Sequence, residues 1–191
     1  LSDSSDADSS AAIFVSARET PRNSDVDYEF RQESTFYYLT GFDEPDTVIL
    51  IRPGAEAPFI MFVRPHDPQM AIWVGARAGT DGALQHYGAD EAYPIDELEA
   101  RLPPLLAQVE HLYYTLGSDD EVDTLVSEHV ANRRQQAQRG GPRLADLRDP
   151  GPILEQMRLL KSESEVASLP RAIAITGHGF DAAFRLTRPG L

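Results

Sequence analysis

Hydrophobic positions in this chain cluster in short runs over the first third and settle into helix-period stripes afterwards. Residues 11–17, with Ile13, Phe14 and Val15, make a run too short for a helix and rich in β-formers, which predicts a buried strand opening a sheet. Residues 20–27 carry Pro, Asn, Ser and Asp and read as a turn-rich loop. Residues 36–39, 47–51 and 59–63 read as further strands, separated by Gly41, by Glu44-Pro45-Asp46 and by the Pro53-Gly54 turn. Strands in such succession predict a meander or hairpin sheet.

Residues 67–82 contain Pro, Gly and Trp without a clear period, which predicts a loop with at most a helical turn. Ile95, Leu98, Leu102, Leu105, Leu106 and Val109 then recur at helical spacing. Pro103 and Pro104 interrupt that stripe, and an interior proline costs roughly 3 kcal/mol, so one kinked helix and two short helices stand as equal alternatives. Residues 111–116 read as a strand and 119–138 as a helix, with acids in its first turn and arginines near its end to match the macrodipole. A loop over 139–142, a short closing strand over 144–147 and a helix over 152–160 follow.

Ser162-Glu163-Ser164-Glu165 has the form of a capping box and predicts a new helix carrying Val166, Leu169, Ile173, Phe180 and Phe184. Pro170 leaves two readings open: the helix kinks, or Ser168 is the true cap and Pro170 lies in the first turn. Strands gathered early, then helix, strand and helix, predict an α/β fold with a mixed sheet flanked by helices.

Composition narrows the function classes. A length of 191 residues suits one sizeable α/β domain plus a fragment of another. A net charge of −14 argues against nucleic-acid binding, which needs clustered Lys and Arg to neutralise phosphates. Arg133, Arg134, Arg139 and Arg143 form the only basic cluster and read as a solvated helix end and loop.

Cysteine is absent, which removes disulfides, thiolate metal sites and thiol nucleophiles and fits a reducing, cytoplasmic setting. No run approaches the roughly 18 apolar residues of a membrane span, so no membrane partner is expected. Residues 1–10, a Ser/Asp run beginning at Leu1, are expected to be a disordered or truncated start. The closing Arg188-Pro189-Gly190-Leu191 reads as a break leading into another element, so both ends look cut.

His66, His86, His111, His129 and His178 lie apart, without the spacing that converges on a transition metal, and no metal site is expected in this chain. Neither a Gly-x-Ser-x-Gly elbow nor a phosphate-binding loop is present.

The densest motif runs from Phe30 to Pro45: Arg31-Gln32, Ser34, Phe36, Tyr38-Leu39-Thr40-Gly41-Phe42 and Glu44-Pro45. It resembles the N-terminal domain of aminopeptidase P, in the creatinase, prolidase and aminopeptidase P superfamily. A second block, Asp67-Pro68, Ile72-Trp73, Gly75, Arg77, Gly79 and Asp81-Gly82-Ala83, is similar to the loop that follows the sheet in that family. A third, residues 157–162 with Glu165-Val166-Ala167, Leu169 and Arg171-Ala172, is similar to the start of the family's catalytic "pita-bread" domain. Departures are His66 and Ala71, where arginine and glutamate are usual, Glu163 for a proline, and Pro170 for a helix former.

The resemblance implies a ribonuclease-H-like layered domain over residues 11–160 and the beginning of a catalytic domain over 161–191. It implies a metal-dependent Xaa-Pro aminopeptidase acting on peptides with proline second, with two divalent metals, typically manganese, bridged by an activated water. The family's metal ligands are two aspartates, one histidine and two glutamates further along the polypeptide, so none maps onto this chain, which alone is expected to be inactive. Trp73 corresponds to a tryptophan that reaches the active-site mouth of a neighbouring subunit, and assembly as a homodimer or homotetramer is implied. Arg31, Gln32 and Glu44 either shape a peptide cleft or, more simply, pair and cap turns while the aromatics around them fill the core. Two other functions compete: a non-catalytic creatinase-like binding module, or a prolidase or creatinase relative.

Overall fold

The computed structural model describes residues 7–69 and 71–190, without the side chains of Trp73 and Val74. The chain divides into two compact units, Leu1–Pro150 and Gly151–Leu191.

The first unit is built on a six-stranded mixed sheet. Its strands are β1 (Ser10–Val15), β4 (Val48–Ile51), β5 (Phe59–Val63), β6 (Glu91–Pro94), β7 (His111–Tyr113) and β8 (Asp146–Arg148), in the order β6-β5-β4-β1-β7-β8. The expected meander is present at its centre, where β4 pairs antiparallel with both β1 and β5. The outer pairs β5/β6, β1/β7 and β7/β8 are parallel and need crossovers. Residues 20–27 are more ordered than a loop: β2 (Pro21–Asn23) and β3 (Val26–Asp27) pair as a small hairpin.

The central strands are nearly continuous apolar runs because both faces of the sheet are covered. Val48, Leu50, Ile60 and Phe62 face one way, with Ala11 and Ile13, into a core closed by Leu98, Leu102, Leu106, Val122 and Val126. Ile49, Met61 and Val63 face the other way, against Phe36, Phe42, Ala83 and Ala89. A slip of one residue in the β4/β5 register would exchange the two sets.

Residues 36–39 are not a strand, as expected from their aromatic content, but the middle of helix α1 (Ser34–Thr40). Both ends of the segment are capped. The Glu33 carboxylate accepts from the Phe36 N–H at 2.7 Å, and Gly41, at φ 65°, donates its N–H to Tyr37 O at 2.7 Å. These contacts outweigh the β-preference of the Phe-Tyr-Tyr run.

Residues 67–82 hold a helical turn, α2 (Ala71–Val74), and the start of α3 (Gly79–His86), whose glycines hid it from periodicity. The stripe over 95–109 becomes a 3₁₀ turn (Ile95–Glu97) running into α4 (Leu98–Leu105), which stops short of Val109. Pro103 and Pro104 sit in its last turns, where the helix is about to end.

Helix α5 (Asp120–Gln138) matches its expected span, with Asp119 as N-cap and Asp120, Glu121 and Asp123 in the first turn. The arginines expected to face its C-terminus do not occupy the last turn, and Arg133 is not solvated. It is 3% exposed and donates to Ala107 O at 2.7 Å and to Val109 O at 3.0 Å. Arg52 donates to Leu105 O at 3.1 Å, so two guanidinium groups take up carbonyls at the end of α4 and in the segment that follows it.

The second unit contains α6 (Gly151–Leu159) and α7 (Glu163–Leu186). Of the two readings at Pro170, the structure gives one helix running through it from the Ser162 capping box. The Ser162 N–H donates to Glu165 Oε2 at 2.7 Å, and Ser168 hydrogen-bonds Ser164 O at 3.0 Å as an interior serine does. Among the described residues no helix is long and apolar enough to cross a membrane.

Candidate functional site: a clasped finger at one end of the sheet

Antiparallel pairing of β1 with β4 and of β4 with β5 brings the end of β1, the start of β4 and the end of β5 to the same end of the sheet, since Val15 pairs with Val48 and Val48 with Phe62. The 30–45 motif is folded over that end. Gln32, only 7% exposed, is its centre. Its Oε1 accepts from the N–H groups of Ala17 and Glu33 at 2.8 and 2.9 Å, and its Nε2 donates to Phe42 O and Glu44 O at 3.1 and 2.9 Å. An amide is the only uncharged side chain that offers both a two-donor and a two-acceptor end, which accounts for glutamine here.

Ser16 and Thr47 lock the adjoining strand ends, with the Thr47 N–H donating to Ser16 Oγ at 2.8 Å. Of the aromatics expected to fill the core, Phe36 and Phe42 do, whereas Tyr28 and Tyr37 are exposed. Arg31 is exposed as well.

Glu44 acts across the chain. Its Oε1 accepts the Ala78 N–H at 2.7 Å, placing a carboxylate at the N-terminus of α3, where the helix dipole favours it. Residues 65–78 therefore leave the sheet after β5 and return to a fixed point, forming a finger whose middle is α2. Trp73 lies on α2, and its side chain falls outside the described residues. Ile72, beside it, is 82% exposed.

The neck of the finger is dense with polar contacts. Arg64 donates to Glu19 Oε2 at 3.0 Å and pairs with Asp46, while Arg77 donates to Glu19 Oε1 at 3.3 Å. His66 Nδ1 lies 3.0 Å from Arg77 O. Gly79, at φ 62°, packs so closely that a Cβ there would come within 2.9 Å of the His66 backbone N and Cβ. Asp46 itself holds φ 50°, a conformation uncommon outside glycine and best tolerated by Asp and Asn. Sequence reasoning did not single out Glu19, Asp46 or Arg64. Nothing local marks them, because their partners lie far along the chain.

Beside the neck opens a cavity of about 880 Å³ whose lining includes Arg18, Asp46, Arg64, Glu99, Asp119 and Glu128. Asp119 accepts two hydrogen bonds from Arg18, at 2.6 and 3.0 Å, and two from the N–H groups of Glu121 and Val122, both at 3.1 Å. Burial pushes its carboxyl pKa up, but Arg18 and those N–H groups outweigh burial and hold it below the usual carboxylate value. The Arg18 guanidinium is raised in turn, first by its hydrogen bond to Asp119 and then by Glu121.

A two-metal centre of the kind the family resemblance implies needs several convergent carboxylates and histidines. Among the described residues no group of three or more His, Asp or Glu side chains is so arranged, so the residues present do not fit one.

Comparison with known proteins agrees with this architecture. Over 181 residues the chain is 37% identical to the Xaa-Pro aminopeptidase of Haemophilus influenzae, covering 94% of this chain and 40% of that protein. It is 33% identical over 184 residues to the Xaa-Pro aminopeptidase of Escherichia coli, covering 95% of this chain and 42% of that one. The fold superposes on the aminopeptidase PepP of Pseudomonas aeruginosa with a TM-score of 0.87 and 35% identity, over 96% of this chain and 42% of the other. The chain thus spans about two fifths of the length of the relatives it matches. Residues 2–114, which include the Gln32 clamp, the finger and its neck, match the aminopeptidase P N-terminal domain, and the chain belongs to that family.

Proposed function

We propose that this chain is the N-terminal part of a metal-dependent Xaa-Pro aminopeptidase, which removes an N-terminal residue that precedes proline. The observation that carries the reading is the finger itself: a segment bearing Trp73, held by its neck to a rigid sheet end, in a chain whose relatives over 94% of its length are named Xaa-Pro aminopeptidases. Trp73 is the substrate contact in this reading and acts on the active site of a neighbouring copy, so the working protein is a homodimer or homotetramer. An indole suits that task, because it offers a large rigid apolar face to a proline ring at little entropic cost. Two divalent metals, manganese by preference, would be held by residues other than those of this chain and would supply the activated water. The protein works in the cytoplasm.

The test joins this chain to the catalytic portion of the Haemophilus influenzae relative and assays a peptide beginning Xaa-Pro with manganese. Turnover is expected, with release of the first residue. Trp73→Ala is expected to lower kcat/KM on the order of tenfold, the worth of one good aromatic contact of about 1.4 kcal/mol. No turnover by a folded joined protein overturns the reading in favour of a non-catalytic binding module. Turnover of dipeptides alone would place the protein with the prolidases.

A further inference from the structure

We propose that Glu19 is a positioning residue: its single carboxylate clasps the two ends of the 65–78 finger and so sets where the helical turn bearing Trp73 is held. The proposal rests on reading Trp73 as the substrate contact. Glu19 lies on neither end of the finger, following β1 instead, yet it binds both. One oxygen accepts from Arg64, where the chain leaves the sheet, at 3.0 Å, and the other from Arg77, where it returns, at 3.3 Å.

Each of the other neck contacts lacks that bridging position on the sheet. Asp46 holds only the departing arginine, Glu44 only the returning Ala78, and His66 with Arg77 O and Gly79 joins the two ends to each other without tying them to β1. Glu19 links both arginines to the strand system through one carboxylate. The side chains of Glu19, Arg64 and Arg77 are 33%, 31% and 13% exposed, so water screens these pairs less than it would on an open surface.

A cavity of about 320 Å³ is lined by Glu19, Arg64 and Arg77 together with Asp67, Ala71 and Gly75, residues of the finger on either side of Trp73. The clasp therefore adjoins the base of the helical turn that carries the indole. Without the carboxylate, two guanidinium cations face one another across the neck with one fewer counter-charge, and their repulsion favours opening it. Opening a neck moves a fingertip more than it moves the sheet, which makes orientation, not folding, the property most sensitive to Glu19.

Trp73 is the only tryptophan, so its fluorescence reports on the finger alone. The experiment compares time-resolved anisotropy of the 191-residue chain with Glu19→Ala, Glu19→Gln and Arg77→Gln, after circular dichroism has established folding, with Arg101→Ala as a remote control. The Glu19→Ala and Arg77→Gln chains are expected to gain a fast-decaying component, Glu19→Gln less of it, and Arg101→Ala none. Wild-type decay in folded Glu19→Ala or Arg77→Gln overturns the proposal, as does an equal gain in Arg101→Ala.

In the joined enzyme, Glu19→Ala is expected to raise KM more than it lowers kcat. The two readings fail separately. Unchanged activity in Trp73→Ala sinks the substrate contact whatever the anisotropy does. Lost activity in Trp73→Ala with unmoved anisotropy in Glu19→Ala sinks the clasp alone.

Discussion

The middle of the sheet and the neck of the finger are neighbours on β5, yet they are held by different forces. Leu50, Ile60, Met61 and Phe62 are fully buried and kept in place by non-directional apolar packing on two faces. Beyond the end of β5, Arg64, His66 and Arg77 hold the finger by directional contacts to Glu19, Asp46 and a backbone carbonyl. Packing tolerates exchange among residues of like volume, whereas a clasp of defined donors and acceptors does not. The sheet therefore decides whether the chain folds, and the neck decides where one segment is presented.

The sharpest way to break that contrast is at the core. Phe62→Ala removes a fully buried ring and is expected to cost about 3–5 kcal/mol, measured by urea unfolding with unchanged m. A loss below about 1 kcal/mol would mean that the sheet is not the stability centre.

Gln32→Leu comes next. It strips partners from the Ala17 and Glu33 N–H groups and from the Phe42 and Glu44 carbonyls, for an expected cost of about 2–3 kcal/mol. Hydrogen exchange at the Ala17 amide should accelerate with it, and an unchanged rate would show that the clamp is dispensable.

Gly79→Ala puts a Cβ against His66 at a positive φ and is expected to cost about 1–2 kcal/mol by thermal unfolding. Its effect on Trp73 anisotropy should be large for so small a loss, which separates neck from core.

The smallest effect is a pH dependence in α5. Burial, and then the Arg133 cation, hold the His129 imidazole below its ordinary value of 6.5, so the unfolded chain takes up the proton first as pH falls. Its contribution is complete above about pH 6.5 and is lost as pH drops through that value towards the depressed one. His129→Leu should flatten this part of the stability profile, and an unaltered slope would assign it to other groups. Asp119 and Asp146, both held below the ordinary carboxylate value of 3.8, add their own loss at lower pH.

Short apolar runs made the strands 11–17, 47–51 and 59–63 legible, because a strand buried on both faces needs little beyond uninterrupted β-formers. Asp119 with its acidic first turn and the Ser162 capping box announced α5 and α7, since caps are local in sequence. Helix α1 escaped notice because its deciding groups, Glu33 and Gly41, lie outside the aromatic run that dominates the pattern. Strand β6 and helix α3 escaped for the opposite reason: they carry too few apolar residues to show a period, and the tertiary pairing of β6 with β5 supplies what propensity does not.

The sequence by itself determined the class of fold, the motif between Phe30 and Pro45 and the place of Trp73 in the segment that follows the early strands. Only the tertiary structure decided what the charged residues do. Arg133 looked solvated and is buried on carbonyls more than twenty residues away; Glu19, Arg64 and Arg77 looked unrelated and share one carboxylate. Apolar burial is written in periodicity because every neighbour on a face contributes alike. A salt bridge depends on which two atoms the folded backbone brings within about 3 Å, and no local pattern records that.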